Sequence, residues 1–246
     1  MPTIQDMCPR EATVQSILDS LLTYRVLHLR GTPCSGKTVL MELIIDYIRR
    51  KMDKFRTVFV RSWPTDINGE NETESYLETI LGIPAKRFAA STDLVLLIDE
   101  AQTTYRNTYL WNTLIKDVDK RRLGVFIILL SSYRSASGFS VKVEGLTPII
   151  LHPAQRIGLQ PSSTSVGLLL TSEDADDVME RFRRTNPDSP VYTPDLKEGL
   201  YVLAGGHVGG LMALLLILHT NTVSTVWLAL HHPFRDWQWV TLLVLY

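Results

Sequence analysis

The stretch RGTPCSGKTVL, from Arg30 to Leu40, decides the fold. It follows a short apolar run and leads directly into a segment whose apolar residues have helical spacing. It offers little side chain to bury, so packing alone does not explain it. Residues 31–38 match the pattern G-x-x-x-x-G-K-[ST], which between a strand and a helix indicates a phosphate-binding loop. The candidate loop residues are Gly31, Thr32, Pro33, Cys34, Ser35, Gly36, Lys37 and Thr38.

The residue types in this loop suit a triphosphate. Gly31 and Gly36 permit backbone angles that a side chain forbids, so the loop can turn its N–H groups towards a phosphate. The helix that follows adds unpaired N–H groups and the positive end of its dipole. We expect Lys37 to reach the β- and γ-phosphates and Thr38 to offer its hydroxyl to Mg²⁺. The alternative is a glycine-rich turn with a surface lysine.

Strands and helices alternate along residues 24–152. Strands are predicted at 24–31, 56–63, 93–100, 123–133 and 147–152. Helices are predicted at 11–22, 37–52, 76–83 and 108–121, with a loop at 64–75. The runs at 93–100 and 123–133 are almost continuously apolar, as in strands buried on both faces of a parallel sheet. The predicted fold class is α/β, a three-layer domain with a parallel five-stranded core sheet.

After about residue 160 the pattern becomes helical. Residues 172–185 form an amphipathic pattern opened by a Ser172 cap, and 194–218 read as helix, glycine break and helix. We therefore expect a small helical lid after the core. The expected segments are an N-terminal helical segment (1–23), the α/β core (24–160), the lid (161–220) and an apolar C-terminal tail (221–246).

Asp99 and Glu100 are the acidic partners that a phosphate loop needs. They end a buried strand, and ligands bind at the carboxyl ends of strands in open α/β sheets. We expect Asp99 to hold Mg²⁺ through water and Glu100 to polarise an attacking water as general base. Glu100 and Lys37 are thus the candidate catalytic residues. The alternative is that both acids merely end a strand and cap the next helix.

Polar residues follow the next buried strand. Ser131 and Ser132 at its tip are candidate sensors of the γ-phosphate, and Arg134 is a candidate contact for the transferred phosphoryl group. Ordinary strand-end serines and a solvated or paired arginine are the alternatives. Gln102 and Thr103 lie near enough in sequence to help position water.

Lys37-Thr38 together with Asp99-Glu100 resembles the P-loop NTPases of the additional-strand, catalytic-glutamate division, which includes AAA+ and STAND-type ATPases. LAGGHVGGL (203–211) resembles the G-G-H-P-G segment that opens a lid helix in archaeal-type and STAND ATPases, with Val208 in place of the proline. More narrowly, LRGTPCSGKT, LLIDEAQTTYRNTYLWNTLIK and GGHVGGL are similar to NTPase domains of fungal and oomycete Crinkler-type proteins, over residues 24–218.

This resemblance implies a five-stranded core with the phosphate-loop strand central, ATP hydrolysis with Mg²⁺ and a helical lid. No second arginine-finger motif is matched, which argues against ring-type activation. His207 lies in the lid segment, where it either contacts nucleotide or opens a helix.

Composition bounds the partners and the compartment. The 25 basic and 26 acidic residues give a formal net charge of -1, so no global basic field steers nucleic acid. We interpret Cys8 and Cys34 as reduced thiols and, since no secretory signal is visible, the protein as intracellular. Residues 210–230 are long enough to span a bilayer, but the polar HTNT in their middle argues against it. The abrupt apolar end suggests a truncated or aberrant tail that exposes surface to a protein partner or a second copy.

The leading hypothesis is an Mg²⁺-dependent nucleoside triphosphatase that takes ATP or another NTP, hydrolyses the β–γ bond and thereby drives a conformational switch. The alternative is a slow or non-hydrolysing nucleotide-binding switch that acts as an effector-like interaction module. A third hypothesis, nucleic-acid remodelling, rests on the string DEAQ at residues 99–102, without any further helicase motif.

Overall fold

The computed structural model describes residues 6–132, 148–163 and 165–220. Its centre is one sheet of five parallel strands in the order β2-β3-β4-β1-β5. The strands are β1 (Val26–Gly31), β2 (Arg56–Val60), β3 (Leu94–Ile98), β4 (Phe126–Ser132) and β5 (Arg156–Ile157). The prediction of an α/β fold with a parallel five-stranded sheet is therefore confirmed.

Helices flank the sheet and continue beyond it. They are α1 (Glu11–Tyr24), α2 (Lys37–Lys51), α3 (Glu70–Leu81), α4 (Ala85–Ala90), α5 (Lys116–Asp119), α6 (Ser172–Thr185), α7 (Pro194–Ala204) and α8 (Val208–Thr220). Ala101–Arg106 and Pro153–Gln155 are 3₁₀ helices, and Leu110–Ile115 is a π-helical turn that leads into α5. No helix in the described residues combines the length and the apolar character needed to cross a membrane.

The strands divide their side chains between two apolar layers. In β4, Ile128 and Leu130 pack with residues of α1 and α2, whereas Ile127 and Leu129 pack on the opposite face with the layer that contains Trp111. These side chains are at most 1% exposed. Because successive side chains of a strand point to opposite faces, a strand covered on both faces needs apolar residues at successive positions, as in all of β3 and in β4 up to Leu130.

A third apolar cluster joins α6, α7 and α8. Helix α6 begins as predicted, but its cap is Thr171 and not Ser172, since the Thr171 hydroxyl accepts a hydrogen bond from Asp174 N. The glycine break predicted between α7 and α8 lies at Gly205 and Gly206, both of which have positive φ. We name these three helices the lid cluster after the predicted segment; that they act as a lid stays a prediction.

The fifth strand is not where the apolar pattern predicted it. No strand forms in residues 148–152, and Thr147 lies outside the described residues. Leu151 enters the core while Ile150 is 91% exposed. The strand forms instead at β5, where Arg156 pairs with His28, because Gln155 turns inward and donates to Val26 O at 3.1 Å. In the observed strand order β1 lies one place from the edge of the sheet, not at its centre as expected.

A second correction concerns the loop predicted at residues 64–75. Helix α3 already begins at Glu70, so the second half of that stretch is helical. The Glu72 carboxylate accepts hydrogen bonds from the backbone N–H groups of Asn68 (3.0 Å) and Gly69 (3.2 Å), which caps the helix. The stretch is polar and contains Gly and Pro, which favoured a loop, but Glu70 and Glu72 in the first turn of α3 complement the positive end of the helix dipole.

Candidate functional site

The phosphate-loop candidate connects β1 to α2. At Gly36 φ is +82°, and a Cβ placed there would lie 2.9 Å from Cγ1 of Val208. A Cβ on Gly31 would lie 2.5 Å from Oγ of Ser35. Both glycines are therefore required by the close approach of neighbouring atoms, and Gly36 also by its backbone conformation.

Lys37 is buried within this loop. Its Nζ donates to the carbonyl oxygen of Thr32 at 2.8 Å and lies 3.5 Å from that of Gly31. Burial lowers the pKa of Lys37, while the carboxylates of Glu100 and Asp99 act in the opposite direction. The Lys37 ammonium group is held by backbone carbonyls in a partly desolvated loop, where it can bind an incoming anion.

Ser35 completes the interior of the loop. It is 3% exposed, and its Oγ has no hydrogen-bond partner within the described part of the chain. A buried hydroxyl without a partner is unfavourable, and in native proteins it usually indicates a missing water, ion or ligand. Phosphate oxygens would satisfy both this hydroxyl and the Lys37 ammonium group.

The structure brings the acidic strand tip against the loop. Thr38 Oγ1 donates to Oδ2 of Asp99 at 2.8 Å, and Oδ1 of the same carboxylate accepts the Glu100 N–H at 2.9 Å. Asp99 is 6% exposed. A hydroxyl and a carboxylate in contact at the mouth of a cavity are the hard oxygen ligands that Mg²⁺ prefers, so these residues fit that ion.

Glu100 lies at the end of β3 in the left-handed conformation, with φ of 49°, and its side chain is exposed. Its carboxylate accepts a hydrogen bond from Nε2 of Gln102. The other end of the same amide, Gln102 Oε1, accepts the backbone N–H of Ser132 at 3.2 Å. Gln102 thus spans the tips of β3 and β4.

The three sensor candidates differ in where the structure places them. Ser132 lines the cavity above the loop. Ser131 instead lies beneath the surface, 1% exposed, with its Oγ 2.7 Å from Nε2 of His28, so in this structure it does not face the cavity. Arg134 lies outside the described residues.

The start of α8 docks directly on the phosphate loop. Gly209 N donates to Cys34 O at 3.1 Å. His207 Nδ1 accepts the Gly210 N–H at 3.2 Å, so in the neutral ring Nε2 carries the proton and donates to Thr32 Oγ1 at 2.9 Å. His207 therefore opens the helix and ties it to the loop.

Two adjoining cavities open at this junction. The first, of about 630 Å³, is lined by the loop, Glu100, Ser132 and the start of α8. The second, of about 290 Å³, is mostly aliphatic and lies between the N-terminal segment, α2, α6 and α8. Both cavities are lined by Gly36, Val39, Val208 and Met212.

The N-terminal segment contributes to the second cavity through Asp6, Met7, Cys8 and Arg10, a role that the sequence did not indicate. Arg10 is itself 8% exposed and left-handed at φ of 46°. Its guanidinium donates to Leu168 O (3.0 Å), to Leu169 O (2.9 Å) and to Asp174 Oδ2 (3.3 Å). These contacts bind the segment before α1 to the start of the lid. No periodicity or motif marks this arginine in the sequence.

Comparison with known proteins gives one family. A family model described as Nephrocystin 3, N-terminal, matches residues 6–129, about half of the chain. The match begins at the N-terminal segment and extends through the phosphate loop and the Asp99-Glu100 pair into β4. No curated protein matches the chain.

Solved structures show only distant similarity. A RuvB variant of Thermotoga maritima is 15% identical with a TM-score of 0.45, over 84% of this chain and 60% of that one. A Walker-type ATPase of Pyrococcus abyssi is 14% identical with a TM-score of 0.47, over 83% and 67%. Domain III of the replication initiation protein DnaA of Thermotoga maritima is 14% identical with a TM-score of 0.46, over 87% and 85%. Because these TM-scores are all below 0.5, we assign the fold from the strand order and the phosphate-loop geometry of this chain and not from these structures.

Proposed function

The chain belongs to the Nephrocystin 3 N-terminal family, and on that premise we propose that it is an Mg²⁺-dependent hydrolase of nucleoside triphosphates, with ATP as the nucleotide. The observation that carries this is the contact between Thr38, in the first turn of the loop helix, and Asp99, at the tip of β3, which β4 separates from β1 in the sheet. In the proposed site this pair holds the metal, and Thr38 lines a cavity of about 630 Å³ together with the buried Lys37 and the exposed Glu100.

The loop binds the phosphates. Its N–H groups and the start of α2 supply oriented donors, and Lys37 exchanges its carbonyl contacts for phosphate oxygens. The phosphate gives the Lys37 ammonium group a negatively charged partner. This favours its charged form, which burial disfavours by lowering the pKa of Lys37. The buried Ser35 hydroxyl gains an acceptor or donor in the same step.

Thr38 and Asp99 would hold Mg²⁺, which would supply positive charge to neutralise the charge that develops on the phosphates. Asp99 is already oriented for this by two hydrogen bonds, one from the Thr38 hydroxyl and one from the Glu100 N–H. The Asp99 carboxylate is therefore ordered before nucleotide binds, so binding does not have to order it.

Glu100 is the general base for the attacking water. It lines the same cavity as the loop, and its side chain reaches solvent. A carboxylate within one water of the γ-phosphate accepts the proton as the β–γ bond breaks. The products are the diphosphate and inorganic phosphate.

The adjoining aliphatic cavity receives the base. This cavity and the phosphate cavity share Gly36 and Val208 in their walls. Its walls are largely apolar, which suits a planar ring. Because α6 and α8 form part of its wall, nucleotide bridges the core and the lid cluster. Release of phosphate then changes the lid position, which an intracellular protein partner or a second copy reads.

A second candidate function is a switch that binds nucleotide and turns it over only slowly. The observation that favours it is that the Glu100 carboxylate already accepts a hydrogen bond from Gln102, which competes with the attacking water for the same carboxylate. Single-turnover phosphate release from wild type and Glu100→Gln separates the two. A hydrolase loses its rate in the variant, whereas a slow switch has the same low rate in both.

The proposal is tested by nucleotide binding with and without Mg²⁺, followed by phosphate release, on wild type and Lys37→Ala. We expect Lys37→Ala to weaken ATP binding by about 100-fold, the loss of a charge-assisted phosphate contact in a desolvated site. Lys51→Ala, at the exposed far end of the same helix, is the matched control. A Lys37→Ala protein that binds and hydrolyses ATP like wild type overturns the proposal.

A further inference from the structure

Gln102 makes two hydrogen bonds with opposite ends of one amide. Nε2 donates to the Glu100 carboxylate, and Oε1 accepts the Ser132 N–H at 3.2 Å. Glu100 and Ser132 both line the phosphate cavity and lie at the ends of neighbouring strands. The Gln102 side chain is thus the link that sets where the glutamate lies relative to the tip of β4.

The backbone under Gln102 is firmly held. The left-handed turn at Glu100 leads into the 3₁₀ helix, where Thr103 N donates to Glu100 O at 2.9 Å. Thr104 Oγ1 donates to Ala101 O at 2.6 Å and accepts Nε1 of Trp111 at 2.8 Å. Thr104 and Trp111 are fully buried. Because its backbone is fixed in this way, the Gln102 side chain starts from a defined position next to the tips of β3 and β4.

We propose that Gln102 is a positioning residue for hydrolysis: it holds the Glu100 carboxylate in the orientation from which it meets the attacking water. This inference rests on the proposed function and adds a residue to it. Gln102 acts through Glu100, which lines the phosphate cavity, whereas Gln102 is not among the described residues that line it.

The chemistry of the side chain explains why an amide of this length is present. Glutamate would keep the acceptor for the Ser132 N–H but would place one carboxylate against another. Methionine has a similar length and neither hydrogen bond. Asparagine has both groups and is one methylene shorter, so it cannot reach both strand tips at once.

The test compares Gln102→Met and Gln102→Glu with wild type in three measurements: turnover, KM for ATP, and equilibrium binding of a non-hydrolysable ATP analogue. We expect kcat to fall about 10- to 100-fold in both variants, within the range that a positioned general base supplies. Analogue binding and KM should stay within about two-fold of wild type, because the phosphate loop is untouched. Gln15→Met, the same substitution at an exposed glutamine of α1, is the matched control and should keep wild-type turnover.

A double-mutant cycle with Glu100→Gln identifies the route of action. If Gln102 acts through Glu100, then Gln102→Met causes no further loss of single-turnover rate in the Glu100→Gln background. An equal fractional loss in both backgrounds would show a general structural effect and would overturn the inference. So would wild-type kcat in Gln102→Met.

The outcomes separate this inference from the proposed function. Wild-type turnover that depends on Lys37 and Glu100 but not on Gln102 overturns the inference alone. Absence of turnover by wild type, with any nucleotide and Mg²⁺, overturns the proposed hydrolysis and the inference with it.

Discussion

Thr38 and Asp99 are joined by a 2.8 Å hydrogen bond that connects the first turn of α2 to the tip of β3. Replacing Thr38 with Val keeps the shape and removes the hydroxyl. We expect the Mg²⁺ concentration for half-maximal nucleotide binding to rise about 10- to 100-fold, because the substitution removes a proposed metal ligand and also the donor that orients the Asp99 carboxylate. Magnesium titration of nucleotide binding measures it.

Thr38→Ser is the control for that substitution, because it retains the hydroxyl and should keep a near-normal magnesium dependence. Asp99 is 6% exposed, so losing its donor should also lower the free energy of unfolding by about 1–3 kcal/mol in Thr38→Val. An unchanged magnesium dependence in the valine variant would show that the pair does not hold the ion.

Gly209 and Gly210 provide a matched pair at the start of α8. A Cβ on Gly209 would lie 2.7 Å from both Cβ and the carbonyl oxygen of Cys34, whereas a Cβ on Gly210 has no neighbour nearer than 3.8 Å. Gly209→Ala should push the lid helix off the phosphate loop, lower stability by about 1–3 kcal/mol and weaken nucleotide binding. Gly210→Ala should be neutral or stabilise the helix by up to about 1 kcal/mol. Chemical denaturation and nucleotide titration of both variants check this, and equal behaviour of the two would refute the docking contact.

The two cysteines should differ in their reaction with a maleimide. Cys34 is exposed in the phosphate loop, whereas burial raises the pKa of Cys8 to about 12 and keeps it a protonated thiol at neutral pH. We expect alkylation at Cys34 first, with loss of nucleotide binding, and protection by bound nucleotide. Peptide mass mapping with and without nucleotide measures this, with Cys8→Ser as the control that still labels. Faster labelling of Cys8, or labelling of Cys34 that nucleotide does not slow, would contradict it.

His28 should give the fold a measurable pH dependence. Burial, with smaller contributions from Arg30 and Arg156, lowers its pKa to about 3. The unfolded chain takes up a proton near pH ~6.5, so the stability conferred by the neutral ring is complete above that pH and is lost as pH falls from about 6.5 towards 3. Relative to His28→Gln, which does not titrate, wild type should lose about 2 kcal/mol between about pH 7 and pH 5. Urea unfolding at both pH values checks this, and parallel losses in the two proteins would refute it.

Much of the fold was predictable because its signals are local. The runs that became β3 and β4 are apolar on both faces, as strands covered on both sides in a parallel sheet are. The phosphate loop before α2 was recognisable because its backbone needs glycine at fixed positions, as the positive φ of Gly36 shows. The contact between Thr38 and Asp99 follows from topology, since β1 and β3 end at the same edge of the sheet.

What the sequence did not reveal depends on contacts between distant residues. The strand β5 is very short, and it forms because the Gln155 side chain bonds Val26 O and Arg156 pairs with His28. The apolar run that looked more like a strand places Ile150 in solvent instead. The difference between Ser131 and Ser132 likewise depends on His28, a residue far earlier in the chain.

Arg10 has a practical consequence for anyone who expresses this protein. Its guanidinium fastens the chain ahead of α1 to Leu168, Leu169 and Asp174. A clone that starts at the first strand would remove this clasp and one wall of the aliphatic cavity together. Domain boundaries for expression should therefore begin upstream of Asp6, and affinity tags belong on a spacer long enough to leave those residues packed.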